Sequence, residues 1–256
     1  MLEIIPLPAL KDNYIWLLKN KISRHVAIVD PSEAKPVLDH IKSHNLIPLA
    51  IMITHHHWDH VGGILEITKQ FDIPVYAPKT DNIEGSTHPV GDGDVVALPE
   101  LDLTLNVMAV PGHTLGAVTY FDDKQVFSGD TLFTAGCGRM FEGTPVQMHT
   151  SLSKFKTLSD DALLYCGHEY TIANLKFAAH IEPDNALIHA RLKRAEICRD
   201  NNQATVPASM GEEKKTNPFL RCEESSVIDA ASNYEGKAIS DPADVFRVIR
   251  SWKDNF

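Results

Sequence analysis

Short apolar runs alternate with turn residues along the first two-thirds of the chain. Most of the runs are rich in β-branched or aromatic residues and are bounded by Asp, Asn, Gly or Pro, which predicts strands. The predicted strands are Tyr14–Lys19, His25–Val29, Ala50–Thr54, Val75–Ala77, Leu103–Val110, Ala117–Phe121, Gln125–Ser128 and Leu163–Tyr165. Segments with a helical apolar period lie between them, at Glu33–Asn45, Gly63–Phe71 and Val146–Leu158. This alternation indicates a mixed α/β domain.

The pattern changes after about Thr171, where helical periodicity dominates. Helices are predicted at Asn174–His180 and Ala186–Asn201, and a polar loop at Ser209–Lys215. A last helix is predicted from Asp241-Pro242 to about Trp252, because aspartate caps helices and proline suits their first turn. We therefore expect two domains, residues 1–172 and a small helical domain at residues 173–256.

Four potential metal ligands lie within six residues of one another, directly after a predicted strand. The apolar run Leu49–Thr54 predicts a buried strand, and the four side chains follow it. They are His55, His57, Asp59 and His60. Each offers a nitrogen or oxygen donor to a divalent transition metal once it is deprotonated. Four donors exceed what one four-coordinate ion needs from a single loop, which points to two metal ions.

His56, in the same run, is expected to face away from the metal. Alternate residues of an extended segment point to opposite sides, so His55 and His57 would face one side and His56 the other. We expect His56 to pack or to form a hydrogen bond rather than to bind metal. A histidine tag explains the run poorly, because a tag lies at a terminus and has no strand before it and no Gly62-Gly63 turn after it.

Length and charge limit the classes of function. With 256 residues, of which 43% are hydrophobic, the chain can bury a substantial core. Its formal net charge of −10 disfavours nucleic-acid binding, since it repels phosphate backbones. No run approaches the roughly 18 to 20 apolar residues of a membrane span, and the first residues lack the pattern of a secretory signal. The sequence thus predicts a soluble cytoplasmic protein that binds neither nucleic acid nor membrane.

The cysteines do not indicate a disulfide framework or a structural zinc site, because they are widely spaced and contain no C-x-x-C pair. They are Cys137, Cys166, Cys198 and Cys222. Cys166 lies two residues before a histidine and could be taken for a ligand. A reduced, buried thiol is the favoured interpretation.

Three more ligand-type residues each lie in a turn directly after a predicted strand. His113 follows a Pro-Gly pair, and Asp130 and His168 each follow a glycine. Such turns hold a side chain at a strand end, where α/β folds place their chemistry. A single His or Asp in such a turn would most often be a cap or a satisfied polar group. Three of them downstream of the histidine-rich run indicate a shared metal site.

With these motifs in this order, the chain resembles the metallo-β-lactamase superfamily and, within it, most closely the glyoxalase II family, the hydroxyacylglutathione hydrolases. The resemblance covers essentially the whole chain. It rests on Thr54–His60, Pro111–Thr114, Gly129–Phe133, Ala135–Gly138, Cys166–Tyr170 and Thr216–Phe219. It implies an α/β fold, a four-layer αββα sandwich, as a catalytic domain over residues 1–172. A small C-terminal helical domain that binds glutathione would follow at residues 173–256.

The resemblance also implies a binuclear metal centre. One ion would be held by His55, His57 and His113, and the other by Asp59, His60 and His168, with Asp130 bridging the two. Histidine and carboxylate donors suit Zn²⁺, and they also suit Fe²⁺ or Mn²⁺. Two such ions can lower the pKa of a shared water and polarise a carbonyl. A hydroxide that bridges the metals would then attack a thioester carbon, with Asp59 and Asp130 as the catalytic carboxylates.

The implied reaction is hydrolysis of S-(2-hydroxyacyl)glutathione, chiefly S-lactoylglutathione, to glutathione and D-lactate, the second step of methylglyoxal detoxification. The substrate is a small molecule, and the protein is expected to be a monomer. An acidic protein needs a local cationic patch to bind this carboxylate-bearing substrate. The implied substrate-binding residues are Arg139, Phe141, Tyr170, Arg250 and Lys253. At 139 and 141 the family often has lysine and tyrosine, so here the charge is kept and a hydroxyl donor is lost.

Several alternatives stay open on the sequence. The nearest are other enzymes of the same fold, a β-lactamase or a persulfide dioxygenase. The lactam nitrogen needs a proton donor on leaving, the superfamily's lactamases lack the helical tail, and the dioxygenases keep only part of the ligand set. A metal-stabilised binding or regulatory module would not need Arg250 and Lys253. A nuclease of this fold would need a basic surface.

Overall fold

The apolar runs of the first half of the chain form two β-sheets in the computed structural model, which describes residues 2–256. Contacts between Cα atoms divide the chain into two compact units. The first unit runs to Ala109 and adds residues 116–122 and 126–129. The second comprises residues 110–115, 123–125 and 130–256. The predicted domain boundary after residue 172 stays a prediction.

The first sheet of the first unit has six strands in chain order. They are β1 (Leu2–Ala9), β2 (Asn13–Asn20), β3 (His25–Val29), β4 (Ile47–Met52), β5 (Val75–Pro78) and β6 (His88–Val90). Strands β1 to β3 are antiparallel, and β3 to β6 are parallel. The carboxyl ends of β3 and β4 therefore meet at one edge of the sheet, which is the usual place for a functional site.

Helices cover this sheet through their apolar faces. They are α1 (Ala34–Ser43), α2 (Trp58–Val61) and α3 (Ile64–Thr68). Val37 and Ile41 of α1 and Ile67 of α3 belong to one buried cluster with Ile28 and Ile51 of the sheet. This cluster fixes the strands whose ends carry the candidate ligands, because burial of apolar area is the main stabilising term.

Four more strands of the first unit form an antiparallel meander. They are β7 (Val95–Leu98), β8 (Leu103–Ala109), β9 (Val118–Phe121) and β10 (Gln125–Gly129). The meander is tied to the end of β4, because the backbone N–H of Val118 donates to the carbonyl of Thr54 at 2.9 Å. The hydroxyl of Tyr120 also donates to the carbonyl of Ile53 at 2.9 Å.

The second unit is mainly helical. Its short strands form two antiparallel pairs, β11 (Leu132–Phe133) with β12 (Gly136–Cys137) and β13 (Leu163–Cys166) with β14 (Ala208–Ser209). Its helices are α4 (Pro145–Phe155), α5 (Thr171–Ile181), α6 (Ala186–Asp200), α7 (Met210–Thr216), α8 (Ser225–Glu235) and α9 (Pro242–Asp254). No helix within residues 2–256 has the length and apolarity that a membrane span requires.

Helix α9 begins where the sequence predicts. The carboxylate of Asp241 accepts hydrogen bonds from the backbone N–H groups of Ala243 and Asp244, at 2.9 and 3.1 Å. This cap satisfies donors that the first turn leaves without an intrahelical partner. The buried face of α9 includes Phe246 and Ile249, and the helix packs on α4 and α8.

Several elements differ from the sequence-based expectation, among them α7, β1 and α8. The predicted polar loop at Ser209–Lys215 is wrong, because residues 210–216 form helix α7, which Ser209 caps by accepting from the N–H of Glu212 at 3.1 Å. Strand β1 was not predicted, since it contains Pro6 and Pro8. It lies at the edge of its sheet, where proline is tolerated. Helix α8 was also missed, although Gly236 ends it in a left-handed conformation with φ of 73°.

Candidate metal centre

The histidine-rich run leaves the buried end of β4 and turns at once into the short helix α2. Residues 50–53 are fully buried and anchor the start of the run. Helix α2 begins at Trp58, and the N–H of His60 donates to the carbonyl of His57 at 2.9 Å. This tight turn brings the four predicted ligand side chains of the run close together.

The four predicted ligands of the run lie close together within the first unit. The Nε2 atom of His55 is 3.2 Å from Nδ1 of His57, and the rings of His55 and His60 are centred 4.1 Å apart. The carboxylate of Asp59 lies 3.8 Å from Nε2 of His60. The side chain of Asn13 donates to the Asp59 carboxylate at 3.1 Å and so orients it. Such an arrangement of imidazoles and a carboxylate suits divalent metal ions.

His56 faces away from this group, as predicted. Its Nδ1 atom lies 3.0 Å from the carboxylate of Asp81. Asp81 in turn lies against Gly116, where an added Cβ would come within 1.7 Å of the carboxylate. His56 therefore pairs with Asp81, while His55 and His57 belong to the ligand group.

Asp30 belongs to this site and was missed by the sequence-based interpretation. Its carboxylate accepts hydrogen bonds from the N–H and hydroxyl of Thr54, at 2.8 and 2.6 Å. It also lies 3.0 Å from Nδ1 of His60. A carboxylate can only accept here, so the proton of His60 resides on Nδ1 and its lone pair on Nε2. Asp30 follows β3 as His55 follows β4, and that position was the available signal.

The other three predicted ligands form a second group within the second unit. The Nε2 atoms of His113 and His168 lie 3.5 and 3.1 Å from the same carboxylate oxygen of Asp130. All three residues are buried. One carboxylate oxygen thus approaches two imidazole nitrogens, which is the geometry expected of a carboxylate placed between two ligand sets.

The backbone around residue 139 orients His113. Its Nδ1 atom donates to the carbonyl of Arg139 at 2.7 Å, which leaves the lone pair on Nε2, the atom that faces Asp130. Gly138 is required at this point, because an added Cβ would lie 2.0 Å from the carbonyl oxygen of Asp130 and 3.0 Å from Nδ1 of His113. The segment between Asp130 and Arg139 therefore packs directly against both groups.

Cys166 is a buried thiol, as predicted. Its S–H donates to the backbone carbonyl of His168 at 3.4 Å. Burial raises the pKa of this thiol to about 12, so it stays protonated at neutral pH. The residue thus supports the backbone of His168.

Three predicted substrate-binding residues surround this second group. The ring of Phe141 is 65% exposed and lies edge-on to His113, with centroids 5.3 Å apart. The ring of Tyr170 stacks on that of His168 at 4.8 Å. Arg139 is exposed, and its Nε lies 3.1 Å from the carboxylate of Asp254. Phe141 and Tyr170 thus pack on the two imidazoles, and together with Arg139, whose carbonyl accepts from His113, they form what we call the rim beside His113 and His168.

The two predicted substrate-binding residues of α9, Arg250 and Lys253, differ in accessibility. Arg250 is 4% exposed, and it donates to the carbonyl of Cys137 at 2.9 Å and lies over the ring of Phe219. Lys253 is partly buried, with its ammonium 5.4 Å from the ring centroid of Phe177. Burial, and then the charge of Arg250, lower the pKa of Lys253 to about 8. Lys253 is the more accessible of the two cations.

Asp254 was not singled out from the sequence, yet its carboxylate links both arginines. Its Oδ1 atom lies 3.1 Å from Nε of Arg139 and 3.1 Å from a terminal nitrogen of Arg250. The i, i+4 spacing of 250 and 254 on α9 was the signal for one of these contacts. The contact with Arg139 joins residues more than 100 positions apart and had no local signal. The metal-ligand and substrate-binding roles of all the residues above stay predictions.

Two family models together match residues 13–256. A model described as the metallo-beta-lactamase superfamily matches residues 13–168. A model described as the hydroxyacylglutathione hydrolase C-terminus matches residues 169–256. The superfamily fold and the histidine and aspartate clusters suit a binuclear metal site.

Curated relatives match the chain over its full length. The hydroxyacylglutathione hydrolase of Nitrosomonas eutropha is 46% identical over 256 residues, which is 100% of both chains. That of Aliivibrio salmonicida is 47% identical over 259 residues, again 100% of both chains. Among solved structures, the ETHE1 protein from Myxococcus xanthus has a TM-score of 0.66 at 21% identity, covering 99% of this chain and 98% of that one.

The structural likeness, at this low identity, shows the fold, and the full-length relatives show the family. The predictions of a metallo-β-lactamase fold with a helical C-terminal region, and of the family itself, are confirmed. The chain belongs to the hydroxyacylglutathione hydrolase family of the metallo-beta-lactamase superfamily.

Proposed function

We propose that this protein hydrolyses the thioester bond of S-(2-hydroxyacyl)glutathione, chiefly S-lactoylglutathione, and releases glutathione and D-lactate. The observation that carries the proposal is the match over the whole chain to relatives named hydroxyacylglutathione hydrolase. A β-lactamase or a persulfide dioxygenase of the same fold is not favoured, because these relatives match the C-terminal helical region as well as the metal-ligand motifs. The reaction would be the second step of methylglyoxal detoxification.

The proposed ligand sets draw on both groups of residues. One ion would be held by His55, His57 and His113, the other by Asp59, His60 and His168, and Asp130 would bridge them. The short contacts within each group support this assignment, since they bring His55 close to His57, Asp59 close to His60, and Asp130 close to both His113 and His168. The orienting bonds of His60 and His113 support it further, because each fixes the tautomer that leaves Nε2 as the ligand atom.

The chemistry needs few other groups from the chain. When bound, two divalent ions would lower the pKa of a shared water towards neutrality and polarise the thioester carbonyl. Asp59, whose carboxylate accepts from the side chain of Asn13, would accept the proton of the attacking water or orient it. A thiol leaving group has a pKa of about 8.5 and departs as a thiolate without a general acid. The site therefore needs no dedicated proton donor.

Recognition of glutathione would use the rim beside His113 and His168 together with α9. Lys253 and Arg139 offer positive charge to the peptide carboxylates, and Tyr170 offers a hydroxyl donor. Phe141 offers a ring with no hydroxyl, so it can contribute only apolar contact. Arg250 is mostly enclosed, so its main contribution would be to hold the backbone at Cys137 and the carboxylate of Asp254.

Zn²⁺ is the first candidate for the metal, because imidazole and carboxylate donors suit it, and Fe²⁺ or Mn²⁺ are the alternatives. We expect the protein to act as a monomer, and in the cytoplasm, where a glutathione pool exists. Metal analysis of purified protein and its elution volume on gel filtration test the metal and the monomer.

The test of the function is a thioesterase assay on S-lactoylglutathione with metal quantification on the same sample. We expect hydrolysis and about two ions per chain at full loading, as in two-metal hydrolases. His113→Ala and His168→Ala should each remove a different ion, so each variant should hold about one. Full activity with a single ion at saturation would contradict the binuclear assignment. A metal-loaded protein with no thioesterase activity would contradict the function and leave the metal centre standing.

The lowered pKa of Lys253 leads to a pH-dependent KM. Only the protonated amine attracts a carboxylate, so KM for S-lactoylglutathione should rise as pH passes about 8, while kcat stays nearly constant. The charged and titratable groups that act on this amine are Arg250, Asp254, Arg139 and Cys137.

The control for this pH effect is Lys253→Arg, which keeps a cation that does not titrate in this range. Its KM should stay flat between pH 7 and about 9. The same rise of KM in both proteins would assign the pH dependence to another group.

A further inference from the structure

The segment that joins Asp130 to Arg139 has little internal structure to hold its shape. It contains the hairpin β11–β12, whose strands have two residues each, joined by a turn at residues 134–135. Ala135 in that turn is fully buried and has a positive φ of 56°. A residue with a Cβ is strained in this conformation and keeps it only where its surroundings hold it there. The segment therefore depends on groups outside itself.

Three buried side chains from the helical tail bind the backbone of this turn. The carboxylate of Glu213 accepts from the N–H of Ala135 at 2.8 Å. The amide of Asn217 donates to the carbonyls of Phe133 and Gly136, at 3.2 and 3.0 Å. The amide of Asn174 donates to the carbonyl of Thr134 at 3.0 Å. Each of the four turn residues thus has a backbone polar group satisfied by the tail, as buried backbone requires.

Two of these side chains, Glu213 and Asn217, are themselves held in a network. Glu213 and Asn217 are fully buried, and the Asn217 amide also donates to the Glu213 carboxylate at 3.0 Å. Arg191, also buried, forms an ion pair with Glu213 and donates to the hydroxyl of Thr216. A buried network in which each member has a partner is rigid, and loss of one member leaves the others unsatisfied.

The two ends of the segment act directly on the second ligand group. The Arg139 carbonyl accepts from Nδ1 of His113, and the N–H of Phe141 donates to the His113 carbonyl at 3.1 Å. Gly138 packs against the backbone of Asp130, and its N–H donates to the Thr131 carbonyl at 3.2 Å. A shift of the segment would therefore move His113 and Asp130 together.

We propose that Glu213 and Asn217 are positioning residues for the metal centre, which act through residues 131–139 on His113 and Asp130. The proposal links two of the sequence motifs. Thr216–Phe219 supplies the Asn217 amide, and this amide binds the backbone next to and within Ala135–Gly138. The helical tail would then set the geometry of the metal ligands in addition to any contact with substrate. The activity readout rests on the proposed function, whereas the metal-affinity readout does not.

The test compares two serine substitutions in the tail. Asn217→Ser keeps an oxygen that can cap the N–H of Phe219, as Asn217 does now, and removes the amide that reaches Phe133 and Gly136. The matched control is Asn185→Ser. Serine can likewise cap α6 at this position, and the amide that is removed donates to the carbonyl of Lys215, outside residues 131–139. As metal-free proteins, Asn217→Ser should lose more thermal stability than Asn185→Ser, because Asn217 is fully buried and its amide serves three acceptors, whereas Asn185 is only partly buried. Metal affinity is therefore compared at a temperature at which both variants are folded.

Only Asn217→Ser should weaken metal binding. Loss of a partner of a metal ligand costs about 10- to 100-fold in affinity or activity. Asn217 does not contact a predicted ligand and acts on it through the backbone of residues 131–139, so its effect should be near the lower end. We expect Zn²⁺ affinity, measured by competition with a chromogenic chelator, to fall about tenfold in Asn217→Ser. In the loaded protein kcat should fall with KM for S-lactoylglutathione unchanged. Asn185→Ser should match the unsubstituted protein in all three.

Equal Zn²⁺ affinity in Asn217→Ser and Asn185→Ser would overturn the proposal. If Asn217→Ser does not fold, Asn174→Ser decides by the same measurement, because it removes one bond to the turn, that to Thr134. If the unsubstituted protein binds Zn²⁺ but does not hydrolyse S-lactoylglutathione, the proposed function fails. The comparison of Zn²⁺ affinities still decides the role of Asn217.

Discussion

Replacing Asp130 with alanine is expected to remove nearly all thioesterase activity and to lower metal content more than any other single substitution in the site. One oxygen of Asp130 lies within 3.5 Å of a nitrogen on each of His113 and His168. In the proposed centre this carboxylate serves both ions, and its negative charge offsets their mutual repulsion. Its loss therefore affects both ions at once.

The expected loss in kcat/KM for Asp130→Ala exceeds the roughly 10- to 100-fold typical of losing an outer partner of a metal ligand. It should also exceed the losses of His55→Ala and His60→Ala, each of which removes a ligand from one ion only. Added metal should rescue Asp130→Ala poorly and the two histidine variants better. Steady-state kinetics and metal analysis at several metal concentrations measure this.

Two further variants make the test of Asp130 sharper. Asp130→Asn keeps the shape and one oxygen but loses the charge, so it should hold metal better than Asp130→Ala and still lose most activity. Asp161→Ala removes an exposed aspartate of the same unit and should change neither quantity. Substantial activity in Asp130→Ala without a second bridging group would show that the bridge has been assigned to the wrong residue.

The predicted metal ligands could be identified from the sequence because each lies in a characteristic local sequence pattern. His113, Asp130 and His168 follow glycine in a turn after an apolar run, and the histidine-rich run carries four donors at once. Each signal lies within about six residues, which is the range over which periodicity and turn chemistry can be read. The grouping of His113, Asp130 and His168 follows because strand ends meet at sheet edges.

Asp30 and Asp254 could not be found in the same way, since their partners are distant in sequence. Asp30 is a single aspartate after β3, and its importance depends on contacts with Thr54 and His60. The carboxylate of Asp254 contacts Arg139, which lies in the loop after β12. A single carboxylate at such a position is most often a cap or a solvated charge, so no local pattern distinguishes either aspartate.

The errors in the fold have a similar cause. The segment that forms α7 has a polar, glycine-containing sequence, which local propensity assigns to a loop. Its Glu213 is nevertheless fully buried against the turn at Ala135, and this tertiary contact stabilises the helix. The local signals were the cap by Ser209, the glutamates of the first turn and the lysines of the last turn. Pattern analysis assigns polar residues to the surface, so it fails where a tertiary hydrogen bond holds a polar side chain in the interior.

The second large effect concerns recognition of glutathione by α9. Lys253→Ala should raise KM for S-lactoylglutathione and leave kcat nearly unchanged. The proposed contact with a peptide carboxylate lies away from the thioester and is the same in the ground and transition states. A charge-assisted hydrogen bond contributes about 1.5–3 kcal/mol, so kcat/KM should fall about 10- to 100-fold. Partial exposure of Lys253 places the expected value near the lower end.

Arg250→Ala should lower kcat/KM by a similar factor and in addition lower the unfolding temperature. Arg250 is buried, and its removal leaves the carbonyl of Cys137 without its donor and a gap over Phe219. Arg247→Ala is the matched control, because Arg247 lies on the same helix, is exposed, and pairs with Glu235 and Asp244. It should change neither KM nor the unfolding temperature by much.

A simple thioester without carboxylates separates recognition from structure for these three variants. On such a substrate Lys253→Ala should lose little, because there is no carboxylate for the ammonium to bind. Equal losses on both substrates would mean that Lys253 supports the shape of α9 rather than the substrate. No loss on either would mean that its charge is only solvated, and recognition of glutathione would then have to come from Arg139 and Tyr170 on the rim beside His113 and His168.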